Sequence, residues 1–252
     1  MSRARYGIEI AIVLGLSLGI SALYSLVGII VRVSREAPLS EQTATLNRSA
    51  STLEWADFTY QVLGILQSLV PVALVVFLLW SVTKPRLGAL GLDGTKVRRD
   101  LMAGLGLAAL IGIPGLGVYF LGRNLDLTVT VVPTALNTYW WTVPMLIALA
   151  LRAGIVEEVI AVGYLFARLR EMQVPLWGII VLQALLRGTY HLYQGFGAFI
   201  GNVAMGLIFG YIYSRTGRLA PLIVGHALID TVAFVGYPIA VEYYPEILGN
   251  VS

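Results

Sequence analysis

Two adjacent carboxylates, Glu157 and Glu158, stand inside a long apolar stretch that runs from Thr138 to Arg168. An acidic side chain at mid-bilayer costs roughly 2.5–3.5 kcal/mol on insertion scales, and two neighbouring ones repel each other unless a proton or a cation intervenes. Successive helical residues point about 100° apart, so one of the two can line a cavity while the other meets a partner behind it. The two histidines, His191 and His226, fall in later apolar stretches. Arg187 precedes His191 by four positions and Asp230 follows His226 by four, a spacing that puts each pair on one helix face. Almost all the deep ionisable residues thus form three groups on three helices of the second half. A carboxylate beside a histidine can take a proton from water and make it a nucleophile. A second histidine with a polar neighbour can stabilise the oxyanion formed at an attacked carbonyl. That chemistry is amide hydrolysis without a covalent intermediate. The same residue types also suit a zinc ion or a proton relay, although no His-Glu-x-x-His helix is present.

The elements that must position these groups are apolar. Hydrophobic residues make up 58% of the chain and charged residues 12%, with a mean hydropathy of +0.81. A soluble domain carries about 25% charge, so the sequence describes an all-α, polytopic membrane protein. The chain has no cysteine, which excludes disulfides, thiolate nucleophiles and Cys-ligated metals. A net charge of +3 without a clustered basic face reads as a topology signal and speaks against nucleic acid as a partner.

About seven spans are expected, with six to eight compatible with the pattern: Gly7–Val31, Phe58–Val82, Leu101–Leu121, Thr138–Arg168, Val174–Tyr190, Phe196–Tyr213 and Leu219–Ile239. The fourth would be ~45 Å long against a ~30 Å hydrocarbon core, so it must tilt, bend near Pro144 or Gly154, or project. Gly15-Leu-Ser17-Leu-Gly19 matches a nucleophile-elbow pattern but sits mid-helix, where small residues serve packing. Trp140 and Trp141 suit an interfacial belt. The glycines at 197, 201, 206 and 210 suit close helix packing. Leu127–Val132 is β-like but too short to assign, and Arg32–Ala56 reads as a polar loop. The basic loop with Lys84, Arg86, Lys96, Arg98 and Arg99 reads as an anchor against anionic lipid. With the N-terminus inside, 11 of the 17 basic residues fall on cytoplasmic segments, which favours N-in, C-out. One domain over 1–252 is expected, with a site-bearing core at about 101–240.

Three ordered stretches carry a resemblance: Glu157-Glu158-Val-Ile-Ala-Val-Gly163, then Leu-Leu-Arg187-Gly-Thr-Tyr-His191, then Pro221-Leu-Ile-Val-Gly-His226-Ala-Leu-Ile-Asp230. Together they resemble the CAAX prenyl endopeptidase and bacteriocin-processing (CPBP or Abi) family of intramembrane proteases. That family carries Glu-Glu-x-x-x-Arg, Phe-x-x-x-His and His-x-x-x-Asn/Asp motifs in this order. The resemblance implies a CAAX-protease-like helical fold in a bacterial plasma membrane, with a polar cavity open to the cytoplasm. It implies a peptidase in which Glu157 and His191 activate water, His226 and Asp230 stabilise the oxyanion, and Glu158 is auxiliary. Membrane lipids and a membrane-associated or lipidated peptide substrate are the implied partners. No cofactor is required, with zinc the less favoured option.

Two motif positions depart from the pattern. The first motif's arginine is Val162, and the second motif's phenylalanine is Arg187. The expectation is that the cation has moved, with Arg187 reaching Glu158 from the next helix and Arg152 as the rival partner. A non-catalytic immunity or scaffold protein and a small proton-coupled transporter are the alternative functions. Helical rise places Glu157 ~16 Å and His226 ~10 Å from their basic ends, but His191 ~25 Å from Val174, so the three meet only if the helices tilt strongly.

Overall fold

The computed structural model describes residues 2–80 and 87–243. Lys84 and Arg86 of the basic loop lie outside the described residues. The chain forms α1 (Arg3–Gly15), α2 (Leu18–Val33), β1 (Thr43–Arg48), α3 (Glu54–Leu78), α4 (Val97–Asn124), β2 (Thr130–Ala135), α5 (Thr142–Glu157), α6 (Leu165–Glu171), α7 (Leu176–His191), α8 (Phe196–Thr216), α9 (Ala220–Thr231) and α10 (Tyr237–Tyr243). Leu, Ile and Phe side chains such as Ile113 and Phe77 are exposed along α3 and α4. Such faces are stable against lipid, where helices satisfy every backbone polar group internally. The molecule is an all-helical integral membrane protein with one small sheet.

Among the described residues, four helices are long and apolar enough to cross a bilayer: α3, α4, α8 and the continuous Ala220–Val241. The first expected span becomes a fifth if α1 and α2 count together. They are bent by 59° where the chain breaks, at Leu16 and Ser17. The Gly-x-Ser-x-Gly stretch therefore sits at a helix break and not mid-helix, and Ser17 Oγ donates back to Val13 O. The count is lower than seven because the expected fourth and fifth spans fall short. The fourth changes from α to π geometry at Glu158–Tyr164, past Pro144 and Gly154, and α7 has 16 residues. Each turns one face to the main core, through Ile160, Tyr164, Phe166, Ile179 and Ile180, and leaves residues such as Ile147, Leu151, Val181 and Leu182 exposed on the other.

Contacts at the two ends still carry these segments through the bundle. At one end Arg168 donates to Glu9 and to Leu78 O, and Arg218 meets Asp93 and Asp100. At the other end β1 and β2 pair in parallel, Thr43 opposite Thr130. Thr128 there bridges to Gly195, whose φ of +105° only glycine adopts without strain. The sequence reading had a loop at β1 and no strand assigned at β2. Trp140 is 81% exposed, whereas Trp141 is buried and stacks on Tyr139 at 5.3 Å. Only the first of the two suits an interfacial belt.

Helix α9 packs between α4 and α5, and α7 packs on α8. Glycines set these distances. A Cβ on Gly154 would stand 2.9 Å from Ile223 O, and one on Gly206 would stand 2.7 Å from Ala184 Cα. Gly197 and Gly210 are equally tight, whereas Gly201 has ordinary space. Gly217, at φ +63°, ends α8, and Pro221 opens α9 at a position that needs no intrahelical donor.

Candidate active site

Helix α5 delivers Glu157 as its last residue, and the π-helical turn begins with Glu158. The pair diverges as helical geometry requires. Glu158 is 0% exposed, while the Glu157 side chain keeps 15%. Arg187, also 0% exposed, places Nη2 2.6 Å from Glu158 Oε1 and Nη1 3.7 Å from Glu157 Oε2. The cation thus enters from α7 between two carboxylates that pair with no cation of their own helix among the described residues. Its guanidinium also lies over the Phe209 ring at 5.6 Å. Val162, where the motif would carry arginine, is fully buried in the apolar core. Arg152 forms no ion pair with either glutamate among the described residues, and its Nε has no partner.

His226 joins from α9. Its Nδ1 lies 2.7 Å from Glu158 Oε1. A carboxylate accepts, so this nitrogen carries the hydrogen. The opposite nitrogen, Nε2, faces Asp230 Oδ2 at 3.6 Å and Glu157 Oε2 at 4.0 Å. Glu158 therefore orients His226 and pairs Arg187 through one oxygen. Asp230, one turn after His226, has a side chain 22% exposed.

His191 ends α7 beside this group. No hydrogen bond or ion pair joins it to Glu157. Its Nδ1 lies 3.1 Å from Arg187 O, a bond back into its own helix, and Nε2 makes no hydrogen bond among the described residues. The residue that reaches Glu157 from α7 is Tyr190, whose hydroxyl donates to Glu157 Oε2 at 2.6 Å. Tyr190 shares a face with Arg187, whereas His191, one residue on and last in α7, is turned by about 100°. Tyr190 was missed because an aromatic residue in an apolar helix ordinarily reads as packing. The available signal was its i, i+3 relation to Arg187.

The donor set does not fit a metal ion. A zinc site needs three or four converging ligands, and among the described residues no three His, Asp or Glu side chains are so arranged. The Arg187 guanidinium between the glutamates would oppose a divalent cation there.

Fold and site together define an integral membrane protein with a buried, cation-bridged carboxylate pair and a carboxylate-oriented imidazole. A family model described as type II CAAX prenyl endopeptidase Rce1-like matches residues 139–232. That stretch contains Glu157, Glu158, Arg187, His191, His226 and Asp230, so the family resemblance read from the three motifs is borne out. Comparison with curated proteins and with solved structures gives no match.

Proposed function

We propose that the protein is an intramembrane endopeptidase that hydrolyses peptide bonds of membrane-associated or lipidated peptides with a glutamate-activated water. The observation that carries this reading is the state of Glu157. It is part-exposed, its Oε2 faces Tyr190, Arg187 and His226, and its Oε1 accepts no hydrogen bond among the described residues. Oε1 takes a proton from water as the water oxygen attacks the carbonyl carbon, and the C=O pair moves onto oxygen. Protonated His226, fixed by Glu158 through Nδ1, donates from Nε2 to that oxyanion, and the Asp230 carboxylate, 3.6 Å from Nε2, stabilises the imidazolium charge. As the C–N bond breaks, the proton held by Glu157 passes to the leaving amine. His191, through Nε2, assists at the water or the substrate. No metal or other cofactor takes part.

The reading keeps 1–252 as one domain with a protease-like core at about 101–240, in a bacterial plasma membrane with the N-terminus cytoplasmic. Supporting that orientation, Arg168, Arg170, Arg215 and Arg218 lie at one end with Arg3, which bonds Gln173. The sheet end holds Arg32, Arg35, Arg48 and Arg123, the pattern of positive-inside topology.

The test compares newly created peptide N-termini, by mass spectrometry, in membranes expressing the wild type or Glu157→Gln. Termini found only with the wild type support a protease and locate its cleavage sites. Equal sets, with both proteins folded and abundant, would sink the reading and favour a scaffold on the same fold.

A further inference from the structure

We infer that Tyr190 is a positioning residue, whose hydroxyl holds Glu157 Oε2 and so turns Oε1 toward the attacking water. The inference rests on the reading of Glu157 as the base. The 2.6 Å bond from Tyr190 is the only hydrogen bond that Glu157 makes among the described residues. Arg187 at 3.7 Å and His226 at 4.0 Å supply charge but are too far for a hydrogen bond. Without the hydroxyl, the carboxylate is free to rotate about its terminal torsion, which has a broad, two-fold profile. Either oxygen then points at the cation, and the base loses its fixed direction.

The local geometry commits Tyr190 to this contact. It shares an α7 face with Arg187 and is 6% exposed. Its ring lies 4.7 Å from that of His191, which is itself tied back to Arg187 O. One helical turn therefore supplies the cation for Glu158 and the hydroxyl for Glu157, each to a different carboxylate.

The experiment uses purified full-length wild type, Glu157→Gln and Tyr190→Phe in liposomes. The probe is a peptide spanning a site found in the N-terminus comparison. The carboxylate stretch lost in Glu157→Gln is followed by infrared difference spectroscopy. Tyr190→Phe is expected to lower kcat about 10- to 100-fold with KM little changed, the scale of an angstrom-level misplacement, and to shift that stretch. An unshifted stretch, or a shift with unchanged kcat, overturns the positioning role. A wild type that does not cleave overturns the base reading and this role with it. Should Tyr190→Phe not fold, 3-fluorotyrosine at 190 keeps the shape and alters the bond, and the stretch must still move.

Discussion

Arg187 and Glu158, on different helices, meet at 2.6 Å with neither side chain exposed to solvent. Removing one member of a buried ion pair leaves an uncompensated charge and costs about 3–5 kcal/mol, whereas replacing both partners costs far less. Arg187→Met is therefore expected to destabilise the protein by that amount, and Arg187→Met with Glu158→Gln by clearly less. A double-mutant cycle on thermal unfolding in detergent checks it. Additive losses would show that the pair is not coupled.

Asp230→Asn and His226→Asn separate two roles at one site. Among the described residues the one ion pair of Asp230 is with Nε2 of His226, at 3.6 Å, while His226 also binds Glu158. Loss of an oxyanion donor costs about 10²–10³ in kcat. His226→Asn should reach that loss and Asp230→Asn should fall short of it, both measured on the same cleaved peptide. An equal loss for the two would mean that Asp230 itself touches the substrate.

Metal removal should leave cleavage unchanged. Arg187 lies within 3.7 Å of both glutamates and holds the place a divalent ion would need. Chelator-treated and zinc-supplemented protein are expected to cleave at the same rate, with no stoichiometric zinc by elemental analysis. Zinc that copurifies and disappears in His226→Ala would contradict this.

Gly154 sets the spacing between α5 and α9. Its missing Cβ would stand 2.9 Å from Ile223 O and 3.3 Å from Ala227 N, both backbone atoms that cannot rotate away. Gly154→Ala is expected to cost about 1–3 kcal/mol as an overpacked contact. It should also lower cleavage, because Glu157 lies three residues on. Tm and kcat measured together check both effects.

At the basic end the hydrogen bond from Arg218 holds the Asp93 carboxyl well below the usual carboxylate range, with Thr95 adding to it. A depressed native value means that the contribution to stability is complete above the ordinary range near about 4 and is lost as pH falls through the native value. Hydrogen exchange of residues 87–96 should thus be insensitive to this group from neutral pH down to about 5 and should loosen in stronger acid. Arg218→Ala should loosen the segment at neutral pH as well.

Much of this site was legible in the sequence. The intervals Arg187–His191 and His226–Asp230 fix shared helix faces, and charges are so expensive in lipid that deep ones must converge. The absence of arginine at 162 pointed to Arg187 because two buried carboxylates demand a cation. Three features were hidden for physical reasons. The π geometry of Glu158–Tyr164 leaves no compositional mark on a uniformly apolar run. Strands β1 and β2 stabilise each other across a long separation, as in the bond from Asn47 to Pro133 O, 86 residues apart, and neither shows clean alternation. Helices α5 and α7 look like long spans by hydropathy, yet regular α geometry lasts only 16 residues in each.

The change of winding at Glu158–Tyr164 has a consequence for how the rod from Thr142 to Glu171 can vary. The rod presents two faces in fixed rotational phase: one aims Glu157 and Glu158 at Arg187 and Tyr190, the other aims Arg168 at Glu9 and Leu78. An inserted or deleted residue in a regular α-helix turns everything beyond it by about 100° and would set one face against the other. A wider turn absorbs such a step locally. The rod can therefore lose a residue between the glutamates and Tyr164, the π turn tightening to α, while both ends keep their bearings.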